Sequence, residues 1–369
     1  MASTSLRNGL LACGVCVLLI NAGSMPGKTK VDSHAASPAQ VASPEKIAQF
    51  VRDRFEVPEN VKLTVEPLNE SQFPIFFQTV VTSDDGKQKR TNNVFITKDG
   101  RCLVLGNVFA LHDGSTADLI RCLREAAKIP PQTDMKVGAF DKTAYPEFYK
   151  SVVTANDGKN SQSGEIFITK DRRIGILGIV LPFREDVVRS IINTKNMPSQ
   201  GPASAPVTVV EYADLQCPTC ARLQEFLEKQ LLPKYGDKVR VIFKEFPLVQ
   251  IHDWSPAAAI ANECVYQIKP EAFAPYRSLI FQNQVTTNTA NLRDNLLSYA
   301  DQVGVDRVTL AACLDSKASL SLVDAGANEG KRLGIQSTPT CFINGRMLVG
   351  YPSAEAYYTA VDAALKVAK

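Results

Sequence analysis

The chain has 369 residues, too many for a single compact core, so two or three domains are expected. Its 45% hydrophobic and 21% charged content is that of ordinary globular protein. A net charge of +3 without any long block of like charge excludes an electrostatic case for nucleic acid or an anionic membrane surface. The N-terminus reads as an export signal over 1–22. Arg7 supplies the positive start, Leu10 to Ile20 an apolar run, and Asn21-Ala22-Gly23-Ser24 a small-residue exit with cleavage near Ala22. The run is too short to span a bilayer. Lipid attachment at Cys13, within Leu10-Leu11-Ala12-Cys13, and an uncleaved anchor are the alternatives. Residues 23–44, rich in Ser, Ala, Pro and Gly, read as a flexible tether. Outside the cytosol thiols tend to pair. Of nine cysteines, Cys13 and Cys16 fall in the signal, and an odd number remains, so at least one is free or pairs with another molecule.

The next segment repeats itself at an offset of 72 residues. Val80-Val81-Thr82 matches Val152-Val153-Thr154, Asp85-Gly86-Lys87 matches Asp157-Gly158-Lys159, Phe95-Ile96-Thr97-Lys98-Asp99 matches Phe167-Ile168-Thr169-Lys170-Asp171, and Gly106 matches Gly178. The two copies, 45–116 and 117–184, share one grammar. Each opens with an amphipathic helix, carrying Ile47, Phe50, Val51 and Phe55 in the first and Leu119, Cys122, Leu123 and Ala126 in the second. Strand runs follow, such as Phe76 to Thr82, Asn93 to Thr97 and Cys102 to Val108, separated by Asp-Gly turns. Each copy is therefore an α+β unit, a helix on an antiparallel sheet. A third helix, about Glu185 to Asn196, leads through a linker over 185–204. The strand, Thr-Lys-Asp-Gly-Arg, strand, Gly pattern resembles the N-terminal dimerisation domain of DsbC/DsbG-type isomerases; a generic α+β spacer is the alternative. No catalytic constellation is visible here. His112 beside Asp113 reads as an isolated, solvated loop residue. Cys102 and Cys122 either form a local disulfide or are buried small hydrophobes.

From Ala205 the pattern changes. Pro206 to Tyr212 reads as a buried strand, Asp214-Leu215-Gln216 as a turn, and Cys217-Pro218-Thr219-Cys220 as the opening of a helix, Ala221 to Leu232, stopped by Pro233. Thiolate, not thiol, attacks disulfides, and a helix start with free N–H groups and a partial positive charge favours the anion. Two intervening residues let the second sulfur reach the first. Cys217 is thus the expected exposed nucleophile and Cys220 the buried resolving thiol. A zinc site would need a second ligand pair, and none of His34, His112 and His252 has the spacing. A static disulfide is the other alternative. Cys13-Gly14-Val15-Cys16 has the same spacing inside the signal, so context rather than spacing carries the reading.

Over 205–369 the chain resembles the DsbA family of thioredoxin-like oxidoreductases. The resemblance rests on Val209 to Cys220, Phe243-Lys244-Glu245-Phe246-Pro247-Leu248 with His252, Gly334 to Thr340, and Phe342-Ile343-Asn344-Gly345. It implies an α/β thioredoxin fold with a helical insertion, here about 255–331. It also implies that Thr338-Pro339 is the family's cis-proline loop beside the disulfide. Proline alone does not dictate this, since only about 5–6% of X-Pro bonds in folded proteins are cis. Thr338 looks like the isomerase branch, whereas Cys-Pro-x-Cys occurs in oxidases and in the DsbG branch. The family often pairs a buried acid with a lysine beneath the disulfide, which points to Glu211 and Lys244 as a proton relay for Cys220 or a structural ion pair. His252 and Trp254 read as structural. Relatives with cysteines placed like Cys264 and Cys313 carry a second disulfide, and such a bridge stabilises by roughly 4 kcal/mol in the chain-entropy model. Cys341 departs from the family pattern and reads as a buried free thiol.

The expected reaction is reversible dithiol–disulfide exchange with exported protein substrates, in the periplasm or cell envelope, reset by a membrane redox partner. No metal or organic cofactor and no nucleic acid is implied. Oxidase and isomerase or reductase directions stay open, and the repeats can serve substrate binding, dimerisation or an intrachain pseudo-dimer. The non-enzymatic alternative is a binding module on a passive thioredoxin scaffold.

Overall fold

A computed structural model describes residues 37–368, so the segment expected as an export signal and the first part of the expected tether lie outside the described residues. The chain divides into an N-terminal unit ending at Arg184 and a C-terminal unit beginning at Glu185.

The N-terminal unit contains α1 (Pro38–Val41), α2 (Pro44–Arg54), β1 (Lys62–Val65), β2 (Asn69–Glu70), β3 (Phe76–Asp84), β4 (Lys89–Thr97) and β5 (Cys102–Ala110). From α2 onward the series recurs 72 residues on as α3 (Thr116–Ala126), β6 (Asp134–Val137), β7 (Asp141–Lys142), β8 (Phe148–Asn156), β9 (Ser161–Thr169) and β10 (Ile174–Pro182). Turn chemistry explains the common register. Thr97 Oγ1 and the Arg101 N–H both donate to Asp99 Oδ1, and Thr169 and Arg173 treat Asp171 alike. Ser43 and Ser115 cap the two helices at their N-termini. The tether expected over 23–44 is shorter than its composition suggests. Pro38 starts α1, the Ser37 N–H donates to Gln40 Oε1, and Ala42 is buried in the first core.

All ladders of this unit are antiparallel, in the order β1-β3-β4-β5-β10-β9-β8-β6. The two copies meet where β5 pairs with β10 over nine residues, centred on Gly106 opposite Gly178. The Leu111 N–H to Arg173 O and Phe183 N–H to Arg101 O bonds, both 2.8 Å, extend the seam symmetrically at its two ends. Cores cross the seam as well. Phe109 and Leu111 from the first copy pack into the core under α3, and Phe183 from the second packs under α2. At the centre the backbones touch: a Cβ on Gly106 would lie 2.3 Å from Leu177 O, and one on Gly178 2.1 Å from Leu105 O. Only glycine fits at either position.

The C-terminal unit begins with α4 (Glu185–Ile191) and β11 (Ser199–Gln200). The helix expected from about Glu185 to Asn196 is present as α4, but the linker expected over 185–204 is built into this unit. Val187 and Val188 are buried, and β11 pairs antiparallel with a central strand. Then follow β12 (Val207–Ala213), α5 (Pro218–Phe226), a π-turn over Leu227–Leu231, α6 (Leu232–Tyr235), β13 (Val239–Glu245), α7 (Ser255–Ile268), α8 (Phe273–Gln282), α9 (Leu292–Gln302), α10 (Arg307–Ser316), α11 (Leu320–Arg332), β14 (Thr340–Ile343), β15 (Arg346–Val349) and α12 (Ala354–Val367). The sheet order is β11-β13-β12-β14-β15, with β12 and β13 parallel. Helices α7 to α11 form one insertion between β13 and β14, and the fold is the expected α/β thioredoxin-like arrangement. Pro233 does not stop the helix as its residue type suggests. The π-turn before it absorbs the missing N–H, and the helix continues to Gly236, whose φ of 56° ends it. No helix among the described residues is long and apolar enough to cross a membrane.

Gly106→Val should destabilise the N-terminal unit by roughly 3 kcal/mol or more, because the backbones of β5 and β10 must separate. Gly138→Ala, whose added carbon meets only ordinary contacts at 3.4–3.5 Å, should cost under about 1 kcal/mol. Urea unfolding midpoints of the two variants compare them directly.

Candidate active site

Strand β12 is continuous in apolar residues because both faces of the sheet are covered, and it delivers the chain to a tight turn. Asp214 builds that turn. Its Oδ1 accepts the Gln216 N–H at 2.7 Å and its Oδ2 the Leu248 N–H at 2.7 Å. His252 Nδ1 lies 2.9 Å from the same Oδ2 but is not aligned as a hydrogen bond. Gln216 then fastens the start of the insertion, accepting the Trp254 and Ser255 N–H groups and donating to Asp253. Gln284 returns from the insertion to donate to Leu215 O at 2.6 Å and Cys217 O at 3.2 Å. The Asp-x-Gln before the first cysteine was a readable signal for part of this frame. Gln284 carried none, since its partners are backbone carbonyls far away in sequence.

Cys217 is the N-cap of α5, with extended backbone, and Pro218 and Thr219 form the first turn. Cys217 keeps 8% exposure and Cys220 none, so the nucleophile is less open than its position alone suggests. Both thiols are free in this structure. The Cys217 thiol is drawn down from 9.0 to about 5. The largest cause is the hydrogen bond from the Cys220 thiol. Burial opposes it, and the Cys220 N–H, Thr338 and the Thr219 N–H add to it. Cys220 is pushed well above its ordinary value by burial and by the neighbouring Cys217. The Thr338–Pro339 bond is cis, and Thr338 O stands 3.4 Å from Cys217 Sγ.

Two separate charge networks lie in the sheet beneath. In the β12–β13 ladder Glu211 is opposite Phe243, and Tyr212 is opposite Lys244. Neighbouring residues on a strand point to opposite faces, so Glu211 and Lys244 cannot meet. The pairing expected between them is corrected accordingly. Glu211 Oε2 instead accepts from Arg277 Nη2 at 2.8 Å. The same guanidinium donates to Glu245 at 3.3 Å and to Gln224 on α5 at 3.0 Å. Burial raises the Glu211 carboxyl against the pull of Arg277, and Glu211 Oε1 has no hydrogen-bond partner among the described residues. Glu245, raised to about 8 by burial, accepts from Asn262 on α7. On the other face Lys244 Nζ and the Tyr212 hydroxyl both donate to Glu329 Oε1 at 2.5 Å, and Glu329 Oε2 accepts the Asn193 N–H.

The remaining cysteines are apart from this chemistry. Cys264 on α7 and Cys313 on α10 are joined by a disulfide, S–S 1.99 Å. Cys341 is fully buried and free, and burial raises its thiol. Cys102 and Cys122 are likewise buried and free, which leaves no disulfide between them.

Alkylation of reduced protein by iodoacetamide should rise through a midpoint near pH 5, the lowered Cys217 value, and be flat from about pH 7 to 8. A midpoint near 9.0 would contradict the site geometry. Lys244→Met should cost about 3–5 kcal/mol by stranding Glu329, yet leave that midpoint in place. Glu211→Gln should instead shift the pH dependence of Cys220 release, read by single-turnover reduction of a mixed disulfide.

Residues 193–363 match the thioredoxin family model. Disulfide bond formation protein D of Bacillus subtilis is 27% identical over 186 residues, covering 49% of this chain and 82% of that protein. The Na(+)/H(+) antiporter NhaA 3 of Salinispora tropica is 31% identical over 170 residues, 46% of this chain. The match spans 25% of that antiporter's length. Among solved structures, oxidised BdbD from Bacillus subtilis is similar at 25% identity over 47% of this chain and 95% of its own, with a TM-score of 0.44. With the strand–turn–helix of Cys217 and Cys220 inside residues 193–363, the C-terminal unit is thioredoxin-like and similar to disulfide bond formation proteins.

Proposed function

We propose that this chain is an exported protein thiol–disulfide oxidoreductase working through Cys217 and Cys220. The observation that carries the reading is the asymmetry of the pair. One thiol is stabilised as an anion at the start of α5, beside the cis Thr338–Pro339 bond, and its neighbour is held protonated and fully buried. In the oxidising direction a substrate thiolate attacks Cys217 Sγ of the 217–220 disulfide. The S–S bond breaks, Cys220 leaves as thiolate and takes a proton. A second substrate thiolate then attacks the substrate sulfur of the mixed disulfide, and Cys217 departs as the stabilised thiolate. Substrate gains a disulfide and the enzyme pair gains two electrons. In reverse, the Cys217 thiolate attacks a substrate disulfide and Cys220 resolves it. Glu211, coupled electrostatically to Cys220 and with one free oxygen, is the group suited to exchange that proton.

Stabilising the departing thiolate stabilises the reduced pair, which makes its disulfide the stronger oxidant. That favours protein oxidation, in line with the name of the Bacillus subtilis relative, a disulfide bond formation protein, with a membrane redox partner withdrawing the electrons in the cell envelope. A second reading, a disulfide isomerase or reductase, is favoured by the tandem repeats. Joined through β5 and β10, they form within one chain the two-fold arrangement that a dimerisation domain supplies between two. They would then present substrate to the thiols.

Cys217→Ser should abolish insulin reduction and scrambled-ribonuclease refolding; full activity in that variant would leave only a passive binding module. The reduction potential of the wild-type pair should fall towards the oxidising end, about −120 mV. A value near that of thioredoxin, about −270 mV, would transfer the reading to a reductase.

A further inference from the structure

His112 is not the isolated loop residue that its sequence neighbours suggest. It lies just beyond β5 and faces two residues of α3, Asp118 and Cys122, one helical turn apart on the same face. Their ligating atoms form a triangle: His112 Nδ1 to Asp118 Oδ1 3.3 Å, His112 Nδ1 to Cys122 Sγ 3.6 Å, and Cys122 Sγ to Asp118 Oδ1 3.4 Å. A tetrahedral zinc ion bound at ordinary Zn–N, Zn–O and Zn–S lengths requires edges of about 3.3, 3.6 and 3.5 Å between these atoms. We propose that His112, Asp118 and Cys122 are three ligands of a binding site for a divalent cation of the zinc class, with water as the fourth.

Four further observations agree with that assignment. Asp118 Oδ2 accepts the N–H groups of His112, Asp113 and Gly114 at 2.6, 3.0 and 3.1 Å, which locks the carboxylate and turns Oδ1 into the triangle. Arg121 donates from Nη2 both to Asp118 Oδ1 and to His112 Nδ1, the latter at 2.9 Å. Guanidinium can only donate, so Nδ1 presents its lone pair inward, the tautomer that a metal needs. Arg121 also ion-pairs with Glu125 at 3.7 Å, and its side chain is half-exposed. It thus holds the cation's place and is free to withdraw towards solvent. The His112 side chain is 69% exposed, which leaves the open side for water, while Cys122 and Asp118 are buried. Finally, the fold of the repeat does not demand these residues. At the two-fold equivalent place, beyond β10 and against α2, the chain carries Arg184, Lys46 and Phe50, with Gln49 in place of Arg121.

Binding would exchange the Cys122 thiol proton for the metal and release it to solvent. The proposal rests on the N-terminal unit alone and stands whether or not the thiol chemistry of the C-terminal unit is as described.

The test uses the full chain carrying Cys217→Ser and Cys220→Ser, so that the active-site pair contributes no ligand. Zinc affinity is measured by competition with a chromophoric chelator, and cobalt(II) is added separately. One equivalent of zinc is expected, and the cobalt adduct should show a thiolate-to-cobalt charge-transfer band. His112→Ala alters an exposed side chain and should weaken zinc at least about tenfold. Cys122→Ser should remove the band, with thermal unfolding reporting its fold. Arg121→Ala should bind more tightly by removing the competing cation. Absence of zinc binding, a cobalt adduct without the band, or equal affinity in parent and His112→Ala would each overturn the site.

Discussion

One desolvated cation organises the C-terminal unit. Arg277 is fully buried, and its guanidinium reaches Glu211 on β12, Glu245 on β13 and Gln224 on α5 from its own place on α8 in the insertion. Burying a charge costs several kcal/mol unless geometry and hydrogen bonds compensate, and the planar fork of arginine supplies three directed donors at once. The insertion therefore cannot shift against the sheet without breaking a buried ion pair. The helix that carries the two thiols is tied to the same group. Position of the nucleophile, electrostatics under the resolving thiol and docking of five helices all depend on it.

The consequence is a division of labour between the two faces of one strand pair. Glu211 and Phe243 face the thiol side, Tyr212 and Lys244 the other. The Lys244–Glu329–Tyr212 cluster fastens α11, and with it the chain that leads to Thr338 and Pro339. Acid and lysine serve two different joints, each compensated within its own face.

Much of this was legible in the sequence and part was not. The repeat could be read to the residue, because matching turns at Asp99 and Asp171 impose matching strand ends. The thiol pair could be read because a buried strand, a short turn and Pro218 in the first helical turn are local features. Long-range pairing was the weak point. Pairing Glu211 with Lys244 ignored strand alternation, and Arg277, lying in the insertion, offered no local sign that it faces the sheet. His112 failed for the same reason, since its partners come from the next helix. Pro233 misled because a π-turn, visible only in three dimensions, accommodates it. The supposed linker over 185–204 was misjudged because two buried valines and a two-residue strand leave little pattern to detect.

The seam at Gly106 and Gly178 has an evolutionary side. In a dimer of identical chains every substitution appears twice, so a change useful on one half is forced on the other. Joining both halves in one polypeptide removes that restriction while keeping the two-fold frame. Gly106 and Gly178 show where symmetry is still enforced by contact between backbones. His112, Asp118 and Cys122, matched at the two-fold equivalent place by Arg184, Lys46 and Phe50, show where it has been released. A fused pair can thus keep one half as scaffold and let the other diverge.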